Sequence, residues 1–350
     1  MSVKKLSKEL FLNWVDDIVS TEKKVYGVQT HKDKADKFEY ALLGSASDLR
    51  LDYDVAILPP KKYFQPAVET LVEFETKGGY KSVYDTEKFV LIGVHPYDMV
   101  ALNQMDELFK QDNYDSHYMS RRKNATIIAC DVAAASKNVF ASSMGTATVK
   151  EGYDVLVTCL GGSYVVEAVT EKGELLLGRA KGEKATSDDI KAREAVWKKN
   201  EKELNKHQLN CKASEISKLL DGAYNSPVWE EKAKTCFSCG SCNQVCPTCY
   251  CFNVHDDVNW SLNTGDRKRT WDGCLLDGFT KVTPNHEFRA KKADRFRHRL
   301  YRKGKYVPSK IGGQVACVGC GRCVSACLSD IANPVAVYNK LIADSGFGKK

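Results

Sequence analysis

Long apolar runs are missing from this 350-residue chain: none approaches the ~20 consecutive residues that span a bilayer, so no membrane helix is expected. The N-terminal stretch, MSVKKLSKELFLNWVDDIV, mixes lysines and acids with its apolar residues. It offers no small-residue cleavage site, so it does not read as a secretory leader. Together these absences predict a cytoplasmic protein. Neither G-x-G-x-x-G nor G-x-x-x-x-G-K-[ST] occurs, so no recognisable loop for a dinucleotide or ATP is present. No nucleophile–base pair stands out, and no RNA- or DNA-binding module is visible. Low-complexity tracts are absent too, and 13 Phe, 16 Tyr and 5 Trp are too many for a disordered chain.

Cysteine, by contrast, is abundant and clustered. Of 14 Cys, only Cys130, Cys159 and Cys211 lie outside the segment from Cys236 to Cys327. In a reducing compartment such density points to metal and not to disulfides. Charge is uneven as well. Residues 266–305 hold 13 Lys or Arg against 5 Asp or Glu, an excess of +8 in a chain whose total is +7. This basic stretch is expected to dock an acidic partner and to tune nearby clusters; a nucleic-acid surface is the less favoured reading.

The expected fold class is α+β: an α/β-type N-terminal domain followed by an α-helical ferredoxin-like dicluster domain. Leu6, Leu10, Phe11, Trp14, Val15 and Ile18 recur at helical spacing. Val25–Thr30 is a short strand candidate. Val68, Leu71, Val72 and Phe74 suggest a helix or an edge element. Phe89–Val94 and Ala125–Cys130 read as buried strands. His95 and Asp98 open the helix after the first of these, where α/β sheets often bind small ligands. A lone His there reads first as a capping or packing residue. Residues 153–160, 163–170 and 174–177 look like a meander. The domain boundaries are placed at 1–185, a scaffold that docks partners; 186–234, a helical linker; and 235–350, the dicluster domain. A basic helical insertion is expected over 252–312, with Ala290, Ala293, Phe296, Leu300 and Tyr301 as its apolar stripe.

Two runs match each other. They are Cys236-Phe-Ser-Cys239-Gly-Ser-Cys242-Asn-Gln-Val-Cys246-Pro247 and Cys317-Val-Gly-Cys320-Gly-Arg-Cys323-Val-Ser-Ala-Cys327. Both read C-x2-C-x2-C-x3-C, the spacing of two-cluster [4Fe–4S] ferredoxins, in which the fourth Cys ligates the other cluster. Three thiolates on a short loop reach three corners of a cubane, and the fourth points to the partner cluster. The first cluster is therefore assigned to Cys236, Cys239, Cys242 and Cys327. The second takes Cys317, Cys320, Cys323 and Cys246. Structural zinc sites usually pair CxxC units across a longer spacer, which these uninterrupted runs do not match. One difference separates them: Pro247 follows the first run and Leu328 the second.

Cys249, Cys251 and Cys274 are left over. They could hold a third cluster or metal, with His286 as fourth ligand and His255 behind it; buried free thiols are the alternative. If the third cluster had an open iron, the chain could be an iron–sulfur enzyme binding substrate there.

The chain resembles the iron–sulfur β subunits of cytoplasmic sulfhydrogenases and the corresponding iron–sulfur subunits of anaerobic sulfite reductases. The matching pieces are Cys236–Cys251, Trp271-Asp-Gly-Cys274, His286-Glu-Phe-Arg289, Arg295-Phe-Arg-His-Arg299 and Cys317–Cys323. Gly93-Val-His-Pro-Tyr-Asp98 and Ser143-Met-Gly145 match in the N-terminal half. The family often has Cys-x-Cys where this chain has Val139-Phe140-Ala141. The resemblance implies a relay subunit that is not catalytic alone. It would carry single electrons between an NAD(P)H-oxidising flavoprotein subunit, which holds FAD, and a catalytic subunit. That subunit would be a nickel–iron hydrogenase, a sulfite reductase or a heterodisulfide-reductase type. No membrane or nucleic-acid partner is expected.

Overall fold

The computed structural model describes residues 2–284 and 286–348. Strand β1 (Val3–Ser7) leads straight into helix α1 (Lys8–Thr21). The Ser7 side chain accepts from the Leu10 N–H and caps that helix, and Phe11, Trp14, Val15 and Ile18 form its buried face. There follow β2 (Val25–His31), β3 (Lys34–Leu42), β4 (Val68–Glu75), β5 (Tyr80–Ser82), β6 (Phe89–Val94), α2 (Pro96–Lys110), α3 (Ser116–Asn124) and β7 (Ala125–Cys130). Next come β8 (Val155–Cys159), β9 (Ser163–Ala168), α4 (Glu171–Gly178), β10 (Glu183–Lys184) and α5 (Ser187–Glu203).

The main sheet has eight strands in the order β10-β1-β9-β8-β7-β6-β2-β3. The four central strands β8, β7, β6 and β2 are parallel and the outer ones antiparallel. This is the mixed α/β half that the apolar runs lead one to expect. One element differs. Residues 174–177 belong to α4 and not to a third meander strand. The Thr170 hydroxyl caps the helix by accepting from the Gly173 N–H, and Glu171 and Glu174 in the first turn suit its positive end.

The cysteine-rich half contains α6 (Ile216–Asp221), α7 (Val228–Ala233), α8 (Ser241–Gln244), β11 (Phe252–Val258) and β12 (Thr264–Trp271). After these come β13 (Lys281–Val282), β14 (His286–Glu287), α9 (Lys292–Tyr301), α10 (Arg322–Ser325) and α11 (Pro334–Ser345). A π-helical turn at Arg302–Tyr306 continues α9. The expected helical insertion over 252–312 is therefore corrected. Its first part is the β11–β12 hairpin, and only the last part is helical. The hairpin joins β4 and β5 in a second sheet of order β11-β12-β4-β5. Residues 68–75, whose pattern allows a helix or an edge element, form an interior strand of that sheet. Alternation is hard to read in β12 because Arg269 points inward, where Glu69 and Asp115 pair with it.

The two halves meet at the carboxyl ends of the parallel strands, where α/β folds ordinarily bind ligands. Here the loop of the second cysteine run sits on that edge. The Phe140 N–H donates to the Gly319 carbonyl at 2.7 Å, and Thr146 Oγ1 donates to the Val318 carbonyl at 2.7 Å. His95 is buried below it as a packing residue, its ring stacked on Tyr53 at 3.9 Å.

Candidate metal centres

The two cysteine runs share one backbone course. Gly240 (φ 71, ψ −4) and Gly321 (φ 77, ψ −6) each start the short helix that carries the third Cys. Ser238 (φ 54) and Gly319 (φ 65) occupy equivalent left-handed positions before the second Cys. The second loop needs glycine for a further reason. A Cβ at Gly319 would lie 2.5 Å from the Phe140 carbonyl oxygen, and one at Gly321 2.3 Å from that of Asn138.

These loops wall two cavities. The first is lined by Cys236, Cys239, Cys242 and Cys327, with Phe237, Leu275, Phe296 and Leu328. The second is lined by Cys246, Cys317, Cys320 and Cys323, with Phe140, Arg299 and Lys303. In each, three thiols come from one run and the fourth from the other. The first reaches the surface: Cys239 is exposed and Cys327 half-buried, whereas all four thiols of the second are buried.

A third cavity is lined by Cys249, Cys251 and Cys274 together with Asn243, Tyr250, Arg299, Arg302 and Lys303. Sequence spacing thus picks three residues that the fold does bring together. The expected fourth ligand is corrected. His286 lies exposed on β14 against Phe288, and His255 is exposed on β11; neither lines this cavity. The pairing of His286 opposite Val282 fixes it to the small β13–β14 ladder, and the pairing of His255 opposite Lys268 fixes it to the β11–β12 hairpin.

Several residues around the thiols escape a reading of the sequence. The Asn243 amide donates to Cys249 Sγ at 3.5 Å and to Cys274 Sγ at 3.6 Å. Lys61, buried, donates to the Cys249 carbonyl at 2.6 Å. The basic stretch, expected both to dock a partner and to tune nearby clusters, sends Arg269, Arg295, Arg299 and Lys303 inward. The usable signal is the i, i+4, i+8 spacing of Arg295, Arg299 and Lys303, which places them on one helical face.

The donor set suits iron–sulfur groups. Burial pushes the thiols of Cys317 and Cys320 up to about 12, so they resist becoming bare thiolates unless a cation replaces the proton. Cys251 is pulled down to about 6, first by a hydrogen bond from Cys274. Among the described residues no three His, Cys, Asp or Glu side chains meet closely enough to hold one metal ion. Two C-x2-C-x2-C-x3-C runs that line two cavities with four thiols apiece match iron–sulfur ligation and not the paired CxxC units of structural zinc sites. The buried cations supply the charge balance that such an anionic group needs.

Comparison with known proteins agrees. Residues 235–331 match the 4Fe-4S dicluster domain family. The chain is also similar to sulfhydrogenase 2 subunit beta of Pyrococcus furiosus: 32% identical over 307 residues, covering 87% of this chain and 88% of the relative. With cysteine geometry and likeness along most of its length in accord, the chain belongs to the family of iron–sulfur β subunits of sulfhydrogenases.

Proposed function

We propose that this chain relays single electrons between a catalytic redox subunit and an NAD(P)H-oxidising flavoprotein subunit of a cytoplasmic complex. The catalytic subunit would be of the nickel–iron hydrogenase, sulfite reductase or heterodisulfide-reductase type. The observation that carries this reading is the exchange of fourth cysteines between two neighbouring cavities. Cys236, Cys239, Cys242 and Cys327 hold one [4Fe–4S] cluster; Cys317, Cys320, Cys323 and Cys246 hold the other. Such clusters, when bound, supply one-electron chemistry. The polypeptide supplies spacing, charge and contact. Cys239 is exposed and shares its cavity wall with exposed Phe237 and Leu328, which supports exchange with a partner at that edge. Cys249, Cys251 and Cys274 hold a third iron–sulfur group, with no histidine ligand.

No helix among the described residues is long and apolar enough to cross a membrane. The test is anaerobic purification from native cells. On four irons per cluster, about eight irons per chain are expected from two clusters and about twelve from three. A flavoprotein and a catalytic subunit should copurify. A colourless chain holding zinc would overturn the cluster assignment, and a chain that purifies alone would overturn the relay.

A further inference from the structure

Arg295, Arg299 and Lys303 run along one face of α9 and the π-turn that continues it, and all are buried, at 3%, 1% and 5% exposure. Their partners differ. Arg295 is paired with Glu287 and Asp277 and also donates to Ser238 in the first cysteine loop. Arg299 and Lys303 have no carboxylate partner among the described residues. Arg299 Nη1 donates to the Ala332 carbonyl at 3.4 Å, while its Nε and Nη2 find no oxygen or nitrogen partner among the described residues. Lys303 donates to Thr248 Oγ1 at 2.8 Å and to the Ala316 carbonyl at 3.4 Å, both neutral.

An uncompensated buried cation is expensive. Sulfur is what surrounds them: the thiolates that would bind the assigned groups on either side supply the missing negative charge. Both side chains line the cavity of Cys246, Cys317, Cys320 and Cys323, and both also line the cavity of Cys249, Cys251 and Cys274. They form the partition between the two. The π-turn brings Lys303 there, with Gly304 packed against Leu220 and Ile216 so closely that a Cβ would lie 2.6–2.7 Å from them.

We propose that Arg299 and Lys303 are a shared electrostatic partition that raises the reduction potentials of the groups in both cavities and couples them. The inference rests on the cluster assignment above. A fixed positive charge between two anionic groups stabilises the more negative, reduced state of each. One cation serving both makes the two potentials move together. The first cavity is lined by neither residue, and Lys303 has no contact with its wall, so that cavity should respond less to the loss of Lys303.

The test is an EPR-monitored redox titration of the anaerobically purified full-length protein. The variants are Arg299→Met and Lys303→Met, which remove the charge at similar volume, and Arg299→Lys, which keeps it. Wild-type iron and sulfide content tests the cluster assignment separately. Each Met variant should shift the midpoints of the same two signals to more negative potential, and in Lys303→Met the third signal should move less. The expected size is about a tenfold fall in the reduced-to-oxidised ratio at fixed potential, which is about 59 mV for a one-electron couple. Arg299→Lys should restore most of the shift. Unchanged midpoints at wild-type iron content, or a shift confined to one signal, would overturn the proposal. If Arg299→Met loses iron, Arg299→Lys and Lys303→Met decide. Retention by Arg299→Lys with a two-signal shift in Lys303→Met supports the charge role, and loss in Arg299→Lys as well overturns it.

Discussion

Arg322 and Asp98 form a two-pronged ion pair buried between the two halves of the molecule. Arg322 Nη1 and Nη2 donate to the two Asp98 carboxylate oxygens, each at 2.6 Å, while Nε donates to the Ala56 carbonyl at 2.7 Å. Asp98 is fully buried and Arg322 nearly so. The pair ties the loop between Cys320 and Cys323 to the first turn of α2. Removing only the carboxylate leaves a stranded guanidinium, which costs about 3–5 kcal/mol. Asp98→Ala should therefore lower the denaturant midpoint sharply and release iron from the second cavity. The double variant Asp98→Leu with Arg322→Met should recover most of the midpoint. Equal losses in both would show that the pair's charge is not what holds the loop.

The crossed fourth cysteines give paired spectral losses. Cys327→Ser should remove the same EPR signal as Cys239→Ser, although the two residues lie in different runs. Cys246→Ser should match Cys320→Ser in the same way. If Cys246→Ser instead copies Cys239→Ser, each run holds its own cluster and the swap is wrong.

Cys274→Ser probes the third cavity. On four irons per cluster, iron should fall by about a third, from about twelve to about eight, with the other two signals intact. An unchanged iron count would leave Cys249, Cys251 and Cys274 as packed thiols.

The surface edge beside Cys239 is testable without disturbing the core. Leu328 is 91% exposed, so Leu328→Glu should leave folding alone, and because Leu328 also walls the first cavity the exchange rate is compared at wild-type iron content. Electron exchange with the flavoprotein subunit should fall by roughly tenfold, the scale of one apolar anchor in an interface. Stopped-flow reduction by NAD(P)H in the complex measures this; an unaltered rate would move the exchange site elsewhere.

His298 sets a pH dependence. Burial, and then Arg289, Arg302 and Arg297, hold its pKa down to about 4 from an ordinary 6.5. Between these values the unfolded chain binds more protons than the folded one, so stability falls as pH falls through that window. Unfolding midpoints of wild type and His298→Gln, compared from pH 7 to pH 4.5, should converge as the solution is acidified. A constant difference would remove His298 from the acid response.

Much of this molecule is readable from spacing alone. The Phe11–Trp14–Val15–Ile18 stripe, the two buried strands ending at Val94 and Cys130, and the cysteine runs are local patterns, and local patterns survive folding. What spacing misreads depends on distant partners. Residues 252–271 look like helical insertion because their charges obscure strand alternation; Glu69 and Asp115, far upstream, make Arg269 an inward-facing residue. The burial of Arg295 and Arg299 is not legible in the sequence for the same reason, since only groups on separate loops make a buried arginine tolerable. His286 suggests itself as a ligand by nearness in sequence, and a short hairpin turns it outward.

Strand β12 pairs with β4 from Thr264 opposite Glu75 to Thr270 opposite Val68. The ferredoxin-like module is thus stitched by its own insertion into the platform that precedes it. It follows that excising residues 235–350 as a miniature electron carrier would leave β12 with a raw edge and Arg269 bereft of counter-ions.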